Sequence, residues 1–230
     1  MKASISFHFF GLLSLMISTF CSPIDDDSSS LEPSQLALKN ALERSVIIHY
    51  HISDTAKGTG ILLDKEGHIL TAYHVIFGWE DRVKVSQDSK TFIPAKVVKI
   101  EPKLDLAILK ANLTNNITNI EWIDRSDLKI NEPIFLFGAA WGLQNSFLKG
   151  YISHLNRTGF DFRMPSIPFI QTIGTSFPGC SGAAVYTFNG KALGLNRATI
   201  GNEPGNSIGL VIPSGYIKAF LKANKINTEK

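Results

Sequence analysis

The chain has 230 residues, 19% charged and 44% hydrophobic, with 18 Gly and 10 Pro, a composition suited to a packed core in one domain or two small subdomains. Its net charge is only +3 and no Lys/Arg block exceeds a pair, so nucleic acid is not an expected partner. Six His and two Cys are too scattered for a CxxC or HExxH site, and no metal is expected.

Behind Lys2, the run FHFFGLLSLMISTF leads to Cys21. An apolar stretch this short after a basic start reads as an export signal over residues 1–21; a membrane-spanning helix needs roughly 20 apolar residues. Cys21 stands where a bacterial lipoprotein carries its lipid, although Phe20 precedes it where that class prefers a small residue. Two readings stay open: acylation of Cys21, with membrane anchoring, or plain cleavage near the same point. Either exports the chain to the periplasm, the medium or a membrane surface, and either leaves Cys180 without a disulfide partner. The following SPIDDDSSS reads as a solvated tether. Within residues 22–44, LEPSQLALKNALER predicts a short amphipathic helix with Leu31, Leu36, Leu38 and Leu42 as its apolar positions and Ser34 as its cap.

From Ser45 the texture becomes β. Runs such as SVIIHYHI, GTGILL, HILTAYHVIF, TFIPAKVVKI and LDLAILKA are rich in Val, Ile and Thr and punctuated by turn residues. DKEG at 64–67 fits a tight hairpin turn. A first barrel is expected over about 45–112, and the polar stretch 113–131 reads as a connection. Residues 132–224 carry a second set, among them PIFLFGA, FLKGYISHLN, PFIQTIG, AAVYTF, KALGLNRATI and SIGLVI. PSGYIKAFLKAN then predicts a terminal helix capped by Ser214. Two β halves of similar size around a linker favour two small barrels with a cleft between them.

The turn PGCSGAAV at 178–185 sets two nucleophiles side by side. Gly179 and Gly182 around Ser181 allow unusual dihedrals, and such a turn can aim the N–H groups of Gly179 and Ser181 at one point, as an oxyanion hole requires. A serine hydroxyl needs a base. His74 is the candidate, embedded in the apolar HILTAYHVIF. Elsewhere His8 lies in the signal, His51 and His68 flank turns, His154 reads as a surface residue, and His49 is expected on the less buried face of its strand. The base needs an orienting carboxylate, and Asp105 in KLDLAILK meets that need, since burying it without a partner is costly. Each residue alone also has an ordinary structural reading. The chain order His74, Asp105, Ser181 matches chymotrypsin-type proteases and neither subtilisin nor the α/β-hydrolases.

At these residues the chain resembles trypsin-like serine proteases of the HtrA (Deg) type. GTGILLDKEGHILTAYHVI is similar to the family's G-S-G hairpin and T-x-x-H-V; KLDLAILK to its D-L-A strand; QTIGTSFPGCSGAAVYTFNGKALGLN to its N-P-G-N-S-G-G segment; and IGLVIPSGYIKAFL to its closing strand and helix. The likeness runs from about Ser45 to Leu221. It implies an all-β chymotrypsin-like fold of two six-stranded antiparallel barrels, with a C-terminal and a short N-terminal helix, hydrolysing protein or peptide substrates through an acyl-enzyme without a cofactor. His74 would be the base, Asp105 its orienter, Ser181 the nucleophile, and the N–H groups of Gly179 and Ser181 the oxyanion hole. By position Thr175, Leu195, Asn196 and Arg197 would line the primary pocket. Cys180 replaces the family's usual Asn, and Ala183 its second glycine. The chain ends soon after the terminal helix, so no PDZ domain is expected. Two rival readings are a cysteine peptidase using Cys180 and a proteolytically inactive module that keeps the fold for binding.

Overall fold

The apolar runs close into two six-stranded antiparallel barrels, seen in a computed structural model that describes residues 32–49, 57–113, 117–200 (backbone alone at 198–200), 208–226 and 228. The candidate signal, Cys21, the SPIDDDSSS tether, Leu31 and His51 lie outside the described residues. Helix α1 (Gln35–Arg44) enters the first barrel, built from β1 (Ser45–His49), β2 (Gly58–Leu62), β3 (His68–Ala72), β4 (Lys84–Ser86), β5 (Ile93–Glu101) and β6 (Leu106–Ala111). A single helical turn, α2 (Tyr73–Ile76), follows β3 directly. The second barrel holds β7 (Pro133–Gly138), β8 (Ser146–Arg157), β9 (Phe169–Ile173), β10 (Ala184–Thr187), β11 (Ala192–Ile200) and β12 (Ile208–Pro213), and α3 (Ser214–Ala223) closes the described fold. Strand order is β1-β2-β3-β6-β5-β4 in one barrel and β10-β11-β12-β9-β8-β7 in the other.

Local chemistry sets several of these boundaries. The Asp64 side chain accepts the N–H groups of Glu66 and His68 at 3.0 and 3.1 Å, and Gly67 takes φ +86°, so DKEG makes the hairpin between β2 and β3. Ser34 caps α1 by accepting the N–H of Ala37 at 3.1 Å. Ile61, Leu62, Ile69, Leu70, Leu106 and Ile108 are almost fully buried, and burial of each such side chain contributes about 1.5–3 kcal/mol.

Three expectations are corrected. The buried face of α1 is Ala37, Ala41 and Arg44, with Leu38 packed half-buried against the core, while Leu36 and Leu42 are exposed. The helix lies so close to the β10–β11 turn that a Cβ on Gly190 would sit 3.0 Å from that of Ala37, a gap too narrow for leucine. Ser214 is the first helical residue of α3 rather than its cap, because its hydroxyl donates to the Ile123 carbonyl at 2.6 Å. His49 is buried, its ring edge-on to Phe92 at 4.6 Å. The connection also acquires order: Ala192 donates to Glu121 O and accepts from Ile123 N–H, which ties Trp122 alongside β11.

Candidate active site

Strand register brings the first two candidate residues together. Ala72, the last residue of β3, pairs with Leu106, the first of β6. His74 therefore follows one strand and Asp105 precedes its neighbour at the same barrel end. Asp105 adopts φ +53°, uncommon for a residue with a side chain. Its N–H reaches Pro102 O and its carbonyl accepts Tyr73 N–H at 2.9 Å, and these bonds hold that conformation. The carboxylate is buried: Oδ1 accepts His74 N–H at 2.8 Å, and Oδ2 lies 2.6 Å from His74 Nδ1. With Nδ1–H donating to Asp105, Nε2 is the ring nitrogen left to accept a proton.

The second barrel supplies the turn 178–182. Every carbonyl in its first four residues is tied back. Pro178 O accepts Trp141 N–H at 2.7 Å, Gly179 O accepts the Thr59 hydroxyl at 2.9 Å, and Ser181 O accepts Thr59 N–H at 2.9 Å. Cys180 O accepts Ala183 N–H and the Asn196 side-chain amide, each at 3.1 Å. The N–H of Cys180 donates to Phe177 O and that of Gly182 to Asn196 O. Among the described residues, the N–H groups of Gly179 and Ser181 have no internal acceptor. Because the peptide bond is trans, the Gly179 N–H points opposite to the Pro178 carbonyl, away from Trp141. Gly179 and Gly182 both have positive φ, and a Cβ on Gly182 would fall 2.1 Å from Thr59 O and 2.3 Å from Thr71 Oγ1. Glycine is the residue that permits this approach of the two barrels.

The Ser181 hydroxyl donates to Arg197 O at 3.3 Å, whereas His74 pairs with Asp105. Among the described residues Ser181 and His74 are not hydrogen-bonded to each other. Cys180 is buried in the second barrel among Leu136, Ala140, Ala183 and Ile170. A Cβ on Gly138 would lie 3.3 Å from its Sγ. Burial pushes the thiol up to about 11. The reading of Cys180 as nucleophile is therefore corrected: a buried neutral thiol facing the core is unreactive.

The four residues placed in a primary pocket occupy separate environments. Thr175 is fully buried and its hydroxyl donates to Thr172 Oγ1 at 3.1 Å. Leu195 is buried in the core, and Asn196 braces the Cys180 carbonyl. Arg197 turns toward the first barrel, with Nε 2.6 Å from Asp105 Oδ2 and Nη2 3.0 Å from Asp161 Oδ2. It lines a cavity with Tyr73, His74, Phe77, Pro102 and Met164. Thr59 and Asp161 escaped the sequence reading. Only the GTG hairpin hinted at the first, and nothing local to DFR marks the second.

Residues 58–195 match the family model described as "Trypsin-like peptidase domain". The chain is 32% identical over 156 residues to a probable periplasmic serine endoprotease DegP-like of Halomonas elongata, covering 66% of this chain and 31% of that protein. It is 31% identical over 165 residues to the periplasmic serine endoprotease DegP of Salmonella typhimurium, covering 71% and 34% respectively. The match thus spans about a third of the length of these relatives. A solved structure of the HtrA-type protease AlgW with decapeptide shares the fold, with TM-score 0.69 and 23% identity over 81% of this chain and 66% of that one.

Proposed function

The chain belongs to the trypsin-like peptidase family, on its HtrA/Deg side, and we propose that it is an exported serine endopeptidase acting on protein or peptide substrates through an acyl-enzyme. One observation carries this reading: the carbonyls of 178–181 are all hydrogen-bonded, the N–H groups of Gly179 and Ser181 have no acceptor among the described residues, and Arg197 joins Ser181 to the Asp105 of the His74–Asp105 couple.

In the proposed mechanism, a substrate carbonyl lodges its oxygen against those two N–H groups, which are held in place before charge develops and so cost no reorganisation. The Ser181 hydroxyl leaves Arg197 O, a long contact for an O–H donor, and turns to His74 Nε2. His74 takes the proton as Ser181 attacks, then passes it to the leaving amine. Asp105 holds the tautomer and stabilises the imidazolium. Water, deprotonated by His74, releases the acyl group. Catalytic hydrogen bonds commonly tighten only once substrate is bound, which fits the separate partners of Ser181 and His74 in the free protein. Export is supported by the basic, apolar N-terminus and by the periplasmic relatives.

Fluorophosphonate labelling, run beside casein hydrolysis, tests the assignment. Wild type and Cys180→Ala are expected to label, and Ser181→Ala to do neither. A folded wild-type protein that neither labels nor cleaves would favour the binding-module reading, in which the same turn serves recognition without turnover.

A further inference from the structure

Asp105 Oδ2 serves two partners. His74 Nδ1 and Arg197 Nε both lie 2.6 Å from it. The His74 contact is a formed hydrogen bond, whereas the Arg197 Nε–H has no hydrogen-bond acceptor among the described residues, so the arginine contact is one of charge. That charge is permanent and sits in a buried site where electrostatic interactions are strong. Alone, it would neutralise the carboxylate that an imidazolium needs and would repel the positive charge arriving on His74.

Asp161, in the segment between β8 and β9, offsets it. Its Oδ2 contacts Arg197 Nη2 at 3.0 Å, and both side chains are about 9% exposed. Asp161 is fixed in turn: Oδ1 accepts Arg163 N–H at 2.9 Å and its carbonyl accepts Met164 N–H at 3.0 Å. Two carboxylates around one guanidinium leave a single net negative charge beside His74. The other groups around this cavity are Arg163, also cationic, and Tyr73, whose hydroxyl donates to Glu80.

Building on the reading of His74, Asp105 and Ser181 as a triad, we infer that Arg197 and Asp161 are positioning residues: Arg197 anchors Asp105, and Asp161 cancels the arginine's charge so that Asp105 remains available to His74. Neither side chain touches the reacting atoms in this assignment. The segment carrying Asp161 thereby becomes part of the electrostatics of catalysis.

A charge-balance cycle in the full chain tests this, comparing wild type, Asp161→Asn, Arg197→Met and the double variant. The readouts are the fluorophosphonate inactivation rate constant separated from its affinity, and the downfield proton resonance of the His74–Asp105 hydrogen bond. Asp161→Asn is expected to slow inactivation about tenfold or more with affinity changed less than about twofold, and to move the resonance upfield. The double variant is expected to regain most of the rate and the original resonance, because removing both charges restores the balance. A purely packing role predicts the opposite, with the double variant as poor as Asp161→Asn or worse, and that result would overturn the inference, as would an unaltered Asp161→Asn. If wild type fails to label, the protease reading fails, while the resonance in the four proteins still decides the charge balance.

Discussion

Thr59 of the first barrel holds the carbonyl of Gly179 in the second. Its hydroxyl donates to Gly179 O at 2.9 Å while its Oγ1 accepts Ala139 N–H at 3.1 Å and its own N–H reaches Ser181 O at 2.9 Å. One buried residue thus pins the peptide units 179–180 and 181–182, each of which directly follows one of the two N–H groups proposed to face the oxyanion. Thr59→Val keeps the shape and removes the hydroxyl, leaving a donor and an acceptor unpaired. It should destabilise the fold by about 1–3 kcal/mol, measurable by denaturant unfolding, and slow fluorophosphonate labelling beyond what unfolding explains. Thr59→Ser should retain most of both.

Gly182→Ala tests the approach of the barrels. The added Cβ would meet Thr59 O at 2.1 Å, a backbone atom that cannot rotate away, at a residue already at φ +86°. The expected outcome is a loss of more than about 3 kcal/mol or failure to fold, read by thermal or chemical unfolding. A Gly78→Ala control, also at positive φ but with nothing near its Cβ, should cost only about 1 kcal/mol of backbone strain. Equal losses in the two variants would mean that the close contact is not what requires glycine.

Cys180 gives the fold an alkaline dependence. Its ordinary value of 9.0 applies to the unfolded chain, and burial pushes the folded thiol up to about 11. The folded state keeps its proton longer, so the stabilisation is fully present below pH 9 and is lost as pH rises through 11. The span corresponds to about 2–3 kcal/mol. Cys180→Ala should flatten that decline in unfolding experiments from pH 8.5 to 11 while retaining Ser181 labelling. Thiol reagents should modify wild type rapidly only after denaturation.

The proposed export of the chain leaves two forms of its N-terminus to distinguish, acylated on Cys21 or plainly cleaved. Intact mass of the mature protein, together with incorporation of a clickable fatty acid, distinguishes an acylated N-terminus from a plain one. If the lipid is present, Cys21→Ser should abolish it and release the protein from membranes. If wild type carries no lipid, the same variant should change nothing.

Much of this molecule is written in local patterns. Alternating Val, Ile and Thr between turn residues define strands because the side-chain period of a strand is two. Asp64 and Gly67 encode their own hairpin, and Ser34 its own cap, since each acts over only three or four residues. The order His74, Asp105, Ser181 within matching blocks likewise pointed to the pair that the β3–β6 register brings together.

Other features depend on distances between remote segments, which a linear pattern does not contain. The leucines of α1 look like its buried face, yet Leu36 and Leu42 are exposed and Ala37 is buried against Gly190, where little room is left for a larger side chain. Arg197 reads by position as a pocket residue; tertiary structure gives it Asp105 and Asp161, distant in sequence, as charge partners. Cys180 and Ser181 are adjacent nucleophiles in the chain, and only the fold separates them, one into the barrel core and the other onto the Arg197 carbonyl. Strands, turns and the residue types able to do chemistry are legible along the chain because short-range sterics and hydrogen bonding set them. Tertiary structure decided which of those groups are desolvated and which charges meet, because burial and Coulomb interaction depend on separation in space.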